Sequence, residues 1–316
     1  MTLLFQLLVT GIATGAIYSL IALGYTMVYG IIELINFAHG DIFMIGTLVS
    51  LTVINVFGIT DSSKPAGWAL VGIVLVAFLS ATLVCAILGV VMERVAYRPL
   101  RNAPRLAPLI SAIGVSLILE DLGKFTLGLT PVSFPAIIPK IPYYLGPIVI
   151  NNTDILVIVV SVALMIGLHV LISRTRVGRA MRAVAQDREA AALMGVNVDR
   201  IIAVTFFIGA GLAGAAGFIY SLQISVTKFD IGFRLGLIAF TAAVLGGIGN
   251  IVGAMLGGLL IGLIEALVIF IPDRDLPYGL PHGGLAWSQA VVFAILILIL
   301  VFRPSGLLGQ QVPEKV

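Results

Sequence analysis

Few side chains in this sequence can do chemistry, and most of those that can sit between or inside apolar runs. The stretch IELINFAHGDIFMIG carries Glu33, Asn36, His39 and Asp41 between two apolar segments. Charged and amide groups at membrane depth are costly and pair with one another or turn toward water, and Gly40 permits a break in a helix. Two readings stay open. Either a broken helix runs beside a translocation route with its freed backbone groups facing protein or water, or the stretch is a cap and turn at a membrane surface. Glu265 is the best single carboxylate within an apolar run, so Asn36, His39, Asp41 and Glu265 are the candidate lining of such a route. Glu120 and Asp121 either reach the interface or line an outer mouth. One isolated histidine implies no metal site, and His169 reads as interfacial. No cluster of His, Asp, Glu or Ser at catalytic spacing falls within the apolar runs, so a membrane-embedded enzyme is disfavoured.

A second kind of chemistry is concentrated in RVGRAMRAVAQDREAAALMGVNVDR, Arg176 to Arg200, which is dense in charge although only 10% of the chain is charged. Gly178 to Gln186 is rich in Ala and Arg and predicts a helix. Asp187 is placed to cap a second short helix over Arg188 to Met194, with Glu189 in its first turn, where the helix dipole favours a carboxylate. Gly195 stands where a left-handed residue ends such a helix. The segment reads either as an ordinary basic loop or as a structured helix–bend–helix unit offered to a partner.

The elements that position these groups follow from composition. The chain has 316 residues, 60% of them hydrophobic, well above the roughly 45–50% of a soluble domain. Apolar runs long enough to cross about 30 Å of hydrocarbon recur. They predict an all-α integral membrane protein, a polytopic bundle of eight to ten transmembrane helices with some broken or re-entrant. We place helices near residues 3–30, 41–58, 68–92, 107–128, 154–173, 201–225, 234–248, 250–271 and 286–302, forming a single transmembrane domain over 1–316. The first basic residue is Lys64, so the N-terminal segment lacks the positive flank of a cleaved signal peptide. The lone Cys85 excludes an intramolecular disulfide and reads as packing.

Orientation follows the arginines. Arg94, Arg98, Arg101 and Arg105 fall in one loop, Arg174, Arg176, Arg179, Arg182, Arg188 and Arg200 in another, and Arg303 and Lys315 in the tail. By span parity these share one face, predicted to be cytoplasmic together with the loop 174–200 and the C-terminus. Lys64, Lys140, Lys228, Arg234 and Arg274 fall on the other face, with the proline-rich PVSFPAIIPKIPYYLGP and IPDRDLPYGLPHGG. The same parity puts the N-terminus outside. Glycines at four-residue spacing, Gly11 and Gly15, Gly249, Gly253 and Gly257, and Gly258 and Gly262, predict close helix packing. A short echo links TGAIYSLIALG at 14–24 with AGFIYSLQISV at 216–226.

The run Glu189-Ala190-Ala191, then three residues, then Gly195, resembles the EAA loop of ABC importer permeases. Thr205-Phe206-Phe207 stands where the Ile-x-Leu-Pro that often completes that motif would fall. ALGYTMVYGII, INFAHGDIFMIG, ERVAYRPLR, LISAIGVSLIL, FTAAVLGGIGN and FRPSGLLG together resemble the H-type permease subunit of the branched-chain amino acid (Liv) ABC importers, over nearly the whole chain. The resemblance implies a pore-forming subunit in a bacterial inner membrane, importing leucine, isoleucine or valine. It implies a homologous second permease, two cytoplasmic ATPases and a periplasmic substrate-binding protein as partners, with no role for nucleic acid. Asp187, Arg188, Glu189, Ala190, Ala191 and Gly195 would then be the ATPase-coupling segment. ATP and magnesium would be bound by the partners, because a P-loop needs GxxxxGK[ST] and the lone Gly-Lys pair, Gly123-Lys124, is followed by Phe125. The alternatives are a permease for urea or short-chain amides, or a stand-alone secondary transporter or channel with Glu265, Glu120 or Asp121 as coupling carboxylates.

Overall fold

Apolar length decides the elements. In the computed structural model, which describes residues 2–60, 65, 67–101, 103–104, 106–145, 148–269, 271 and 284–309, each of the nine apolar segments is a helix. In chain order these are α1 (Thr2–Ile32), α2 (His39–Val56), α3 (Gly67–Met92), α4 (Leu106–Leu127), α5 (Asn152–Arg174), α8 (Val198–Ile224), α9 (Ile231–Gly246), α10 (Ile251–Ile269) and α11 (Gly284–Phe302). Two shorter helices, α6 (Arg176–Gln186) and α7 (Arg188–Leu193), lie between α5 and α8. Seven helices are long and apolar enough to cross a membrane, and α9 and α11 are shorter apolar helices. Lys64, Arg105, Arg274, Lys315 and nearly all of IPDRDLPYGLPHGG lie outside the described residues.

Small residues let α8 sit at the centre. Every residue from Gly209 to Leu222 is buried, because the glycines and alanines of that run admit neighbours on all sides. Gly24 of α1 crosses at Gly209, Gly46 of α2 meets Gly214 and Gly217, and Gly89 of α3 meets Phe206 and Ala210. Cys85 is buried at this crossing, its thiol donating to the Ile42 carbonyl at 3.3 Å. Gly249 lies in the α9–α10 turn at φ +92° with nothing within 4 Å of its β-carbon position, but the other spaced glycines pack within the chain. Gly11 and Gly15 abut Gly258, Leu259 and Gly262 of α10, and Gly253 and Gly257 abut the end of α9. The echoed segments do matching work, since Ser19 donates to Gly15 and Ser221 to Gly217 at 2.8 and 3.0 Å. Each then seats its glycine on a different partner, α10 for the first and α2 for the second.

The two ends of the bundle differ. At one end lie the tip of α1, α6–α7, the segment 93–101 and the α9–α10 turn. The tail clasps that turn through Leu307 and Leu308, whose N–H groups donate to Leu245 and Gly246 at 2.8 and 3.0 Å. The arginine-rich segments share this basic end, as span parity requires. At the opposite end are two small antiparallel ladders, β1 (Val132–Ser133) with β4 (Val226–Thr227), and β2 (Pro142–Leu145) with β3 (Ile148–Asn151). Val149 N–H donates to Gln6 there, so the start of α1 sits beside the β2–β3 hairpin.

Candidate functional site

The helix–bend–helix unit forms from local signals. Thr175 caps α6 by accepting from Gly178 N–H at 3.1 Å, a start two residues earlier than alanine content suggested. Gly178 has no room for a side chain because the Ile172 carbonyl lies against it. Asp187 accepts from the N–H groups of Glu189 and Ala190, both at 3.0 Å, and opens α7. Gly195, at φ +85°, closes it. Its N–H donates to Ala192 and that of Val196 to Ala191, both at 3.0 Å, the paired bonds of a Schellman end. Glu189, Ala190 and Gly195 are exposed and Ala191 is buried. Sequence reasoning passed over the neighbours that stand out most. Leu193 is 89% and Met194 85% exposed, two large apolar side chains that the fold leaves in the open at the tip of α7.

Two anchors tie this unit to the bundle. Arg188 donates to the Ile31 carbonyl at 2.7 Å, gripping the last turn of α1. Beyond α7, Asn197 caps α8, and Asp199 in its first turn pairs with both Arg98 and Arg101. Arg101 also holds Glu93 at 2.5 Å. The segment ERVAYRPLR, read in sequence as orienting charge, is therefore a clamp, wound through a π-helical turn at Glu93–Tyr97. Glu93 is only 1% exposed, so Arg101→Ala is expected to cost roughly 3 kcal/mol by stranding a buried carboxylate. Arg98→Ala, on an exposed pair, is expected to cost less than about 1 kcal/mol. Thermal unfolding of the purified variants tests this order.

The break between α1 and α2 lies deeper than a surface turn. Glu33 leaves α1 with φ +58°, and the chain then runs back into the bundle before α2 begins. Three helices act as rulers at 1.5 Å per residue. His39 lies against Gly24, about 12 Å up α1 from Ile32; Gly40 lies against Gly232 and Gly236, about 15 to 20 Å from the basic end of α9. Gly24 in turn crosses Gly209, about 16 Å into α8. So α2 starts near mid-depth. Asn36, His39 and Asp41 are 2%, 1% and 0% exposed. Tyr97 donates to Asn36 at 2.9 Å, Ser116 of α4 donates to Asp41, and His39 meets the edge of Tyr25 with ring centroids 4.7 Å apart. Asn36 Nδ2, His39 Nε2 and Asp41 Oδ1 have no hydrogen-bond partner among the described residues. The turn therefore lies inside the bundle and not at its surface.

Glu265 is not part of this group. It accepts from Tyr18 at 2.6 Å, further toward the opposite end. Glu120 and Asp121 both pair with Lys124, at 3.1 Å. His169 lines a cavity at the basic end.

Apolar helices of spanning length around a buried polar break define a polytopic helical membrane protein. Residues 7–300 match the family model described as branched-chain amino acid transport system / permease component, and the chain belongs to that family. It is 43% identical to the high-affinity branched-chain amino acid transport system permease protein BraD of Pseudomonas aeruginosa, across 98% of this chain and 97% of that protein. It is 40% identical to the high-affinity branched-chain amino acid transport system permease protein LivH of Escherichia coli K12, with the same coverage. Among solved structures, PsaBC from Streptococcus pneumoniae in complex with Fab overlaps 96% of this chain and 91% of that chain, with 13% identity and a TM-score of 0.42.

Proposed function

We propose that this chain is the membrane permease of an ABC importer that carries leucine, isoleucine and valine into a bacterial cytoplasm. The observation that carries this reading is identity of 40% or more along nearly the full length of two permeases named for that solute class. The basic end is cytoplasmic by the distribution of arginine, which places the loop 174–200 and the C-terminus inside and the N-terminus outside. The membrane is the bacterial inner membrane. A homologous second permease completes the path, a periplasmic protein delivers the solute, and two ATPases hold ATP and magnesium. This chain performs no catalysis.

Energy enters at α7. Asp187, Arg188, Glu189, Ala190, Ala191 and Gly195 form a rigid, double-capped knob whose exposed Leu193 and Met194 fill a cleft on the ATPase. An ATPase that binds α7 better in one state of the bundle than in the other couples nucleotide to the path. Motion of α7 reaches α1 through Arg188 and the Ile31 carbonyl, and α8 through Asp199 and its arginine clamp. These helices cross at Gly24 and Gly209, beside His39. The mid-depth break is thus the part of the route that the coupling helix can open, with Asn36, His39 and Asp41 lining it and Glu265 further out.

Asp41→Asn keeps the shape and a hydrogen bond to Ser116 while removing the charge that meets the solute ammonium. Loss of a charged hydrogen bond is worth about tenfold. Leucine uptake by the reconstituted complex is expected to fall by about that factor with the ATPase rate retained; unchanged uptake removes Asp41 from the path. The function itself is tested by labelled leucine uptake into proteoliposomes. Uptake should require ATP and the binding protein and should be competed by excess leucine but not by urea. Uptake by the single chain on a proton or sodium gradient would overturn the reading.

A further inference from the structure

A cavity of about 620 Å³ opens at the basic end between α1, α5, α6 and the α9–α10 turn. Its walls are Met27, Ile31, Ile172, Met181, Ile248 and Val252, and its polar lining includes His169 and Arg182. Among the described residues, no carboxylate lines it. Thr26 also lines it, and the Thr26 hydroxyl, in a residue 1% exposed, has no partner among the described residues. Arg182 spends one N–H on the Ile172 carbonyl, which fixes the guanidinium at the cavity and leaves further donors on its fork. Along the same helix, Arg176 and Arg179 are exposed.

Exposed aliphatic side chains continue from the cavity along two helices. On α5, His169 and Ser173 extend toward the opposite end as Ile166 and Val162, which share their face at helical spacing and are 56% and 40% exposed. On α10, Val252 extends as Leu256 and Leu260, 42%, 46% and 38% exposed. Two aliphatic stripes therefore lead away from a basic, acid-free pocket at the end of the spans. A zwitterionic amino acid would leave its ammonium without a counter-charge here, and a free anion would leave the stripes bare.

We propose that this cavity binds the head group of an anionic phospholipid, its phosphate on Arg182 and His169 and its acyl chains along the stripes of α5 and α10. Basic pockets between helices at a membrane interface favour anionic head groups. The site lies against α6, the helix that leads into α7, so an occupied site braces the coupling unit. The proposal does not depend on which solute is carried.

The test uses the complete purified complex in nanodiscs of phosphatidylcholine titrated with phosphatidylglycerol, read by native mass spectrometry of retained lipid and by thermal unfolding. Phosphatidylglycerol should be retained at least about fivefold better than phosphatidylcholine, the preference one basic side chain near a membrane surface supplies, and should raise the unfolding midpoint. Arg182→Gln should abolish the preference and Arg182→Lys restore most of it. Val252→Trp, which crowds the cavity without touching a charge, should displace the lipid, whereas Leu298→Trp on α11 should not. Equal retention of the two lipids overturns the proposal, as does a preference untouched by Arg182→Gln and Val252→Trp. A midpoint shift reproduced by inorganic phosphate alone overturns the lipid as the source.

Discussion

Leu193→Asp is expected to reduce ATP-driven uptake by at least about 100-fold while the amount of chain in the membrane stays unchanged. Leu193 and Met194 are 89% and 85% exposed at the end of α7, so the folded chain gains almost nothing from either. Burying one leucine side chain in a partner yields about 1.5–3 kcal/mol. An aspartate forfeits that gain and adds the desolvation of a charge, and each 1.4 kcal/mol is tenfold in affinity. Co-purification of the ATPase separates weak docking from failed insertion. The same loss should follow from replacing Glu189 and Gly195 together, since any other residue at the φ of +85° found at Gly195 is strained. Wild-type uptake by these variants would remove α7 from the coupling path.

Gly262→Leu is expected to destroy the fold, leaving less than about a tenth of the normal amount of extractable chain. A β-carbon at Gly262 would strike the Gly15 backbone, and one at Gly15 would come within 2.9 Å of Leu259 Cα. Backbone cannot step aside as a side chain can, so α1 and α10 would separate along their shared length. Overpacking costs about 1–3 kcal/mol where side chains can yield, and more where they cannot. In lipid, close packing of small residues is itself the association force, so little remains to compensate. Gly167→Leu is the control, because nothing lies within 4 Å of its β-carbon position. Size-exclusion profiles of the detergent-extracted variants decide the matter, and equal profiles would overturn the assigned packing.

The elements were legible in the sequence because each depends on nearby residues. Apolar length marks the spans, and the caps of α7 are spelled by Asp187 and Gly195. What stayed hidden depends on pairing across the chain. Nothing in the sequence singles out Asp199 until Arg98 and Arg101 are brought to it from about a hundred positions earlier. Arg188 reads as orienting charge until the end of α1 arrives beside it. The polar stretch from Glu33 to Asp41 supported two readings in sequence, since hydropathy reports composition and not depth. Only the crossings at Gly24 and Gly236 fix how far inward the chain has climbed. The exposure of Leu193 was out of reach for the same reason, because an apolar residue in a helix is normally taken for core.

A helix that begins half-way down the bundle also sets an order of assembly. With a hydropathy of 1.4, α2 is near the low end of the seven spans, and its first turn holds His39 and Asp41. The groups that shelter that turn come later in the chain, Ser116 on α4 and the Gly232 and Gly236 backbone on α9. While the chain is being made, the first turn of α2 therefore lacks its α9 cover until almost two hundred further residues have been added. Chains interrupted between α8 and α9 should leave that segment accessible to aqueous thiol reagents at an introduced cysteine, and chains extended past α9 should close it. The mid-depth start of α2 is thus also the last part of the interior to gain its full cover.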